Sequence, residues 1–188
     1  MNRLTARLGL ALIGALWGAA AGAAGWNPQA PQGATAQLEA AQETIAKFKA
    51  TDPGLDVFFE KAYGYAVFPT IGSGGYWFSG AYGTGLVYEG NTPIGRASLT
   101  QVSFGFTFGA QAYSEILFFR DKSALDKFKA GTAQLSAQAS AVIATNGAAA
   151  KTSYDSNGVG VFVHVKGGAM LDASVGGQNF KYQSGLGD

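Results

Sequence analysis

The spacing of apolar positions changes character along the chain, and each change predicts a different element. Over Thr35 to Ala50, Leu38, Ala41, Ile45 and Phe48 fall at helical spacing and form one face. Thr35 is placed to cap this helix, Glu39 lies in its first turn, and Lys47 and Lys49 lie near its end, where the helix dipole favours cations. Asp52-Pro53-Gly54 restarts the chain. An Asp cap followed by Pro at the first helical position predicts a short helix to about Ala62, with Leu55, Phe58, Phe59 and Ala62 on one side.

From Tyr65 the period becomes two. Tyr65 to Pro69 predicts a short strand stopped by Pro69, followed by a glycine-rich turn over Ile71 to Gly75. Tyr76 to Tyr88 predicts one or two strands broken at Gly80 to Gly85, and Asn91 to Pro93 a turn. Leu99 to Phe108 alternates, with Val102, Phe104, Phe106 and Phe108 on one face. Tyr113 to Arg120 is apolar on both faces at its end, the pattern of a central strand. Ser123 to Ala130 predicts a second amphipathic helix, capped by Ser123 and stopped by Gly131. Leu135 to Thr145 and Val159 to Lys166 follow as strands. Ala169 to Gly176 and Gln178 to Tyr182 predict a closing hairpin turning at Gly176-Gly177.

This order predicts an α+β fold: N-terminal helices packed on a strongly curved, mainly antiparallel β-sheet, barrel-like, with one inserted helix. Glycines set between large aromatics, as in Phe104-Gly105-Phe106, leave one sheet face nearly bare and favour that curvature.

Composition sharpens the picture. The 188 residues suit one folded domain. Charged residues make up only 13%, and 28 glycines accompany 13 Phe, 8 Tyr and 3 Trp, which favours aromatic strands and turns over a helical bundle. The first 24 residues read as a cleavable signal peptide. Arg3 and Arg7 supply a positive start, Leu8 to Leu16 an apolar stretch, and Ala21-Gly22-Ala23 a small-residue cleavage pattern. Residues 25–34 then form a Pro/Gln-rich linker, 35–184 the folded domain and 185–188 a tail. Localisation in the periplasm or cell envelope follows. Removing Arg3 and Arg7 leaves 11 basic against 12 acidic residues, a net charge of −1. A broad nucleic-acid footprint is therefore not expected. With no cysteine, disulfides, thiolate metal sites and a nucleophilic Cys are excluded.

Three stretches resemble the SYLF family. Phe58 to Thr70 (FFEKAYGYAVFPT) is similar to its opening motif. Gly72 to Tyr88 is similar to its glycine-rich segment ending G-x-G-x-x-Y/F. Ser103 to Phe119 (SFGFTFGAQAYSEILFF) resembles the S-x-G-x-x-x-G-A-Q-x-Y-x-E-x-x-F signature. The likeness runs from about Thr35 to Tyr182. It implies lipid binding, since eukaryotic members bind phosphoinositides and some regulate actin assembly beside other modules. This chain departs from them in its export signal, in having no SH3 or FYVE partner module, and in lacking a strongly basic N-terminal amphipathic segment. Actin is therefore not expected as a partner, and an anionic phospholipid or membrane surface is. A protein partner is left open.

Chemistry-bearing groups are few. His164 is the only histidine, which excludes a His-based triad or a multi-His metal site; it is expected at a half-exposed sheet position facing with Phe162 and Lys166, where it could act as a pH-sensitive group. Gly72 to Gly75 lacks the spacing and Lys of a phosphate loop. Glu115 lies in an apolar strand, either as a hydrogen-bonded core acid partnered by Gln111 or Tyr113 or as a group for ligand contact or catalysis. Arg120, Lys122, Lys127 and Lys129 surround the second helix, partly offset by Asp121 and Asp126, as a phosphate-binding rim or an ordinary solvated face. Tyr76 and Trp77, with Phe78, suit either a membrane interface or the core. No catalytic residue, metal ligand or cofactor is predicted. The expected function is an exported, non-enzymatic protein recognising anionic phospholipid or phosphoinositide-like headgroups. The alternative is a structural or protein-interaction module of the envelope.

Overall fold

The computed structural model describes residues 33–75, 78–104, 110–131, 142–143, 154–167 and 175–186. The elements in chain order are α1 (Ala34–Thr51), a 3-10 turn (Pro53–Leu55), α2 (Asp56–Lys61), β1 (Gly64–Gly75), β2 (Phe78–Glu89), β3 (Thr92–Phe104), β4 (Ala110–Phe119), α3 (Lys122–Lys129), β5 (Val142–Ile143), β6 (Val159–Gly167) and β7 (Val175–Ser184). Among the described residues, no helix is long and apolar enough to cross a membrane.

The strands form one sheet in the order β5-β6-β4-β1-β2-β3-β7. All neighbours are antiparallel except β5 and β6. Helices cover the sheet on both faces. On one face, which we call outer, α1 and the 3-10 turn bury Ala41, Phe48 and Leu55 against Val67, Leu86, Ile116, Phe118 and Phe162, with Phe58 and Phe59 of α2 packed partly buried beside them. Phe58 sits edge-on to Phe162 with centroids 5.0 Å apart, and Phe59 edge-on to Phe118 at 4.8 Å. On the inner face, α3 contributes Ala124, Leu125 and Phe128 to a core with Phe68, Leu99, Leu117, Phe119 and Phe180. Full burial of each such side chain stabilises by roughly 1.5–3 kcal/mol.

The sheet curls tightly about that inner core. In a flat sheet β4 and β7, four strand spacings apart, would stand about 19 Å from each other. Yet Gln178 of β7 donates a hydrogen bond to Glu115 of β4 at 3.1 Å, and the rings of Phe68 (β1) and Phe180 (β7) lie 5.8 Å apart. Gly85 permits this bend: a Cβ there would run into the Val67 carbonyl and, at 2.9 Å, the Phe68 ring. The curl does not close. Among the described residues the sheet ends in two different strands, β5 and β7, so the barrel-like closure expected from sequence is not found.

Several boundaries also differ from expectation. Pro69 does not stop β1. It occupies a register shift against both β2 and β4, where its missing N–H costs no ladder bond, and the strand continues through the glycines to Gly75. Gly80 to Gly85 do not break β2, because each pairs in the ladder with β1 or β3. Gly176-Gly177 is not a turn: both residues pair with β3 within an unbroken β7. The cap of α1 is Gly33, without a side-chain bond, and Thr35 lies inside the helix. Asp121, not Ser123, caps α3, accepting from the Ala124 amide at 3.0 Å. Gly131 terminates that helix at a φ of 68°, as a left-handed C-terminal residue should. Of the expected strand over Leu135 to Thr145, only Val142–Ile143 lies among the described residues.

Candidate functional site

The residues singled out by sequence do not converge on one place. Arg120, Lys122, Lys127 and Lys129 surround α3, at the end of the sheet where β1 begins. Local acids pair with two of these four cations. Arg120 Nε bonds Asp121 Oδ2 at 3.1 Å, and Lys122 Nζ bonds Asp126 Oδ2 at 2.7 Å. The Asp126 partnership raises the Lys122 ammonium pKa, and the Ala124 amide holds the Asp121 carboxyl below its ordinary value. Lys129 stands over the Tyr182 ring, 5.6 Å from its centroid, and Lys127 is exposed on the last turn. Tyr76 and Trp77 lie outside the described residues.

Glu115 of β4 is paired with Phe68 of β1 and Val163 of β6, and is fully buried. Its partner is Gln178, which sequence reasoning missed because the two residues meet only through the curl. Gln178 Nε2 donates to Glu115 Oε2 and also lies 3.3 Å from Gln101 Oε1 of β3. Among the described residues, Glu115 Oε1 has no hydrogen-bond partner. Burial pushes the carboxyl up to about 7, and the Gln178 bond lowers it only in part. A neutral acid is the comfortable state of such a group.

The outer face carries a second arrangement. Helices α1 and α2 cover only part of it. Towards the glycine-rich end of the sheet, Tyr82 of β2 and Val102 of β3 are 53% and 51% exposed, the large apolar side chains that stand out there. They are diagonal neighbours, since Tyr82 pairs with Thr100 and Val102 with Gly80. Their surroundings are small or neutral: Gly72 beside Tyr82, Gly177 beside Val102 and Asn179 beside Thr100. Lys181 lies two residues further along the same face of β7.

On the other side stands a group of cations that sequence reasoning did not assemble. Alternation along β6 sends Phe162, His164 and Lys166 outward, as expected. Lys166 Nζ reaches over β4 to Thr70 Oγ1 of β1, 2.8 Å away, and Thr70 stands next to Gly72, the neighbour of Tyr82. His164 lies against Phe48 of α1, with ring centroids 5.8 Å apart. Burial, then Lys47 and Lys166, push the His164 pKa down. Burial and Lys47 push Lys166 down too, with Glu43 opposing. Among the described residues, Lys47, Lys166 and Lys181 enter no ion pair. Helical and strand periodicity do give the direction of each of these residues. What they do not give is that α1 lies beside β6.

Among the described residues, no group of three His, Cys, Asp or Glu side chains could hold a metal ion. Residues 100–184 match the family model described as Ysc84, Las17-binding protein actin regulator, a SYLF domain. No curated protein matches the chain significantly.

Proposed function

The chain carries a SYLF-type domain over residues 100–184, and from that premise we propose that it is an exported, non-catalytic lipid-binding module that docks on anionic phospholipid. One observation carries this reading: Tyr82 and Val102 stand exposed on a small-residue part of the outer face that, among the described residues, α1 and α2 leave uncovered, with Lys181 on one side and Lys166 and Lys47 on the other. Tyrosine favours the membrane–water boundary, and flanking ammonium groups meet lipid phosphates at about 1 kcal/mol each near an anionic surface. The α3 rim is set aside in this reading, because two of its four cations, Arg120 and Lys122, already pair with Asp121 and Asp126.

Export and an envelope location rest on the pattern of the first 24 residues. The family description names actin regulation, and an exported chain would be separated from a cytosolic filament. A protein-interaction role in the envelope is the second reading. It is favoured by β7, which among the described residues is an edge strand open to strand addition.

Flotation with vesicles separates the two. The protein is expected to float with phosphatidylglycerol vesicles and weakly with phosphatidylcholine vesicles. Tyr82→Ser together with Val102→Ser is expected to reduce recovery severalfold without altering the melting temperature. Wild-type protein that stays at the bottom of the gradient with both vesicle types would remove the lipid reading.

A further inference from the structure

The basic groups beside α1 are close enough to oppose one another's charge, although each side chain belongs to an exposed or half-exposed position from which it could swing away. Two of them are held. Lys166 is fixed by its bond to the Thr70 hydroxyl, at the point where the Pro69 register shift bends β1. The room for that reach comes from β4, which has Ala112 and Ser114 here, and Ser114 turns its hydroxyl to the Pro69 carbonyl at 2.8 Å. His164 is fixed by its packing on Phe48, a fully buried residue that anchors α1. Lys47 precedes Phe48 in the helix and is carried to the same place. An ammonium has three N–H donors, and Thr70 takes one from Lys166.

We propose that Lys47, His164 and Lys166, with the Thr70 hydroxyl, form a binding site for a phosphate group. Its source is either a lipid headgroup or a free phosphate ester, and the lipid case rests on the membrane-docking reading above. A phosphate suits the arrangement because its several acceptor oxygens can take bonds from separate donors at once. Two ammonium groups set against one nearby acid leave the place positive at neutral pH. The titratable and charged groups acting on His164 and Lys166 are Lys47 and Glu43 of α1 and each other. His164, held below its ordinary value by burial and the two lysines, adds a third positive charge on acidification. This favours a phosphate diester, whose single charge is constant there. It is partly offset for a monoester or inorganic phosphate, which takes up a proton at about pH 6. Conversely, a bound phosphate favours the protonated ring.

The His164 ring resonances, followed by NMR from pH 4.5 to 8 at constant ionic strength, test this on the whole protein. The added probes are inorganic phosphate, phosphatidic acid vesicles, and chloride as the control anion. Inorganic phosphate is expected to raise the His164 midpoint by about one pH unit. Lys47→Gln with Lys166→Gln should abolish the rise while leaving the fold intact, Glu43→Gln should enlarge it, and Lys61→Gln in α2 should not change it. A rise with inorganic phosphate identifies a soluble ester as sufficient, whereas a rise only with vesicles identifies the lipid as source. The proposal is overturned if neither probe moves the midpoint beyond the chloride control. The soluble arm needs no membrane, so loss of flotation would not by itself overturn it.

Discussion

Replacing Glu115 with Gln should alter how stability depends on pH more than it alters stability itself. The carboxyl has an ordinary value of 4.5 and is pushed up to about 7 in the folded chain. Because the folded value is the higher one, the folded state binds the proton more tightly than the unfolded state does. Below pH 4.5 both states are protonated, and the group is neutral in its effect. Between 4.5 and 7 the unfolded chain has released its proton while the folded chain retains it, so stability falls as pH rises. Above 7 the loss is complete and constant. At 1.36 kcal/mol per unit, the upward displacement amounts to about 3 kcal/mol.

The Gln side chain has nearly the same shape and cannot ionise. Its carbonyl oxygen can still accept from Gln178 Nε2, which lies 3.1 Å from Glu115 Oε2. Its amide N–H groups would face the position where Oε1 has no partner, which costs about 1–3 kcal/mol at every pH. Urea unfolding of both proteins at several pH values from 4 to 8 reads the difference. His164 titrates in part of this window with the opposite sign: its lowered value makes stability rise with pH. That contribution is common to both proteins and cancels in the comparison. The wild type minus Glu115→Gln difference should shrink by about 3 kcal/mol from pH 4.5 to 7 and then level off. Parallel curves for the two proteins would refute the reasoning, since they would show that Glu115 is not desolvated.

Other substitutions test other parts of the fold. Gly85→Ala should destabilise by about 1–3 kcal/mol, seen as a lower urea midpoint, because its Cβ has no room against Val67 and Phe68. Asp52→Ala should cost about 1 kcal/mol by removing the bond from the Gly54 amide that starts the turn into α2. Phe118→Ala should cost about 3–5 kcal/mol, since Phe58, Phe59 and Phe162 all pack on a ring that is fully buried. Arg120→Gln and Lys122→Gln should leave recovery with phosphatidylglycerol vesicles within error of wild type, because both cations already face Asp121 and Asp126.

Local pattern revealed the elements whose neighbours in space are their neighbours in sequence. The face of α1, the Asp52-Pro53 start, the alternation of β6 and the central place of β4 all follow from period and capping chemistry. The errors fall where a residue's meaning depends on a distant strand. Pro69 reads as a strand end until β2 and β4 supply a register shift to accommodate it. Gly83 and Gly85 read as a break until β1 is seen to approach too closely for a Cβ. Gly176-Gly177 reads as a hairpin until β3 pairs with it. The partner of Glu115 is 63 residues away and four strands distant, a separation that no local pattern encodes.

The same geometry separates the charged residues that sequence favoured from those it passed over. Around α3, Asp121 lies next to Arg120 and Asp126 four residues after Lys122, so these two cations find acids locally, and the chain gains a capped helix packed into the curl. Lys47 and Lys166 come from elements far apart in sequence, and no carboxylate accompanies either into an ion pair among the described residues. Folding brings them together against their mutual repulsion, on the face where Tyr82 and Val102 are also left exposed. Stability alone would favour an acid at the exposed Thr70 position to pair with Lys166, and a polar residue at Val102. The fold has neither, which agrees with the anionic, partly apolar partner proposed above.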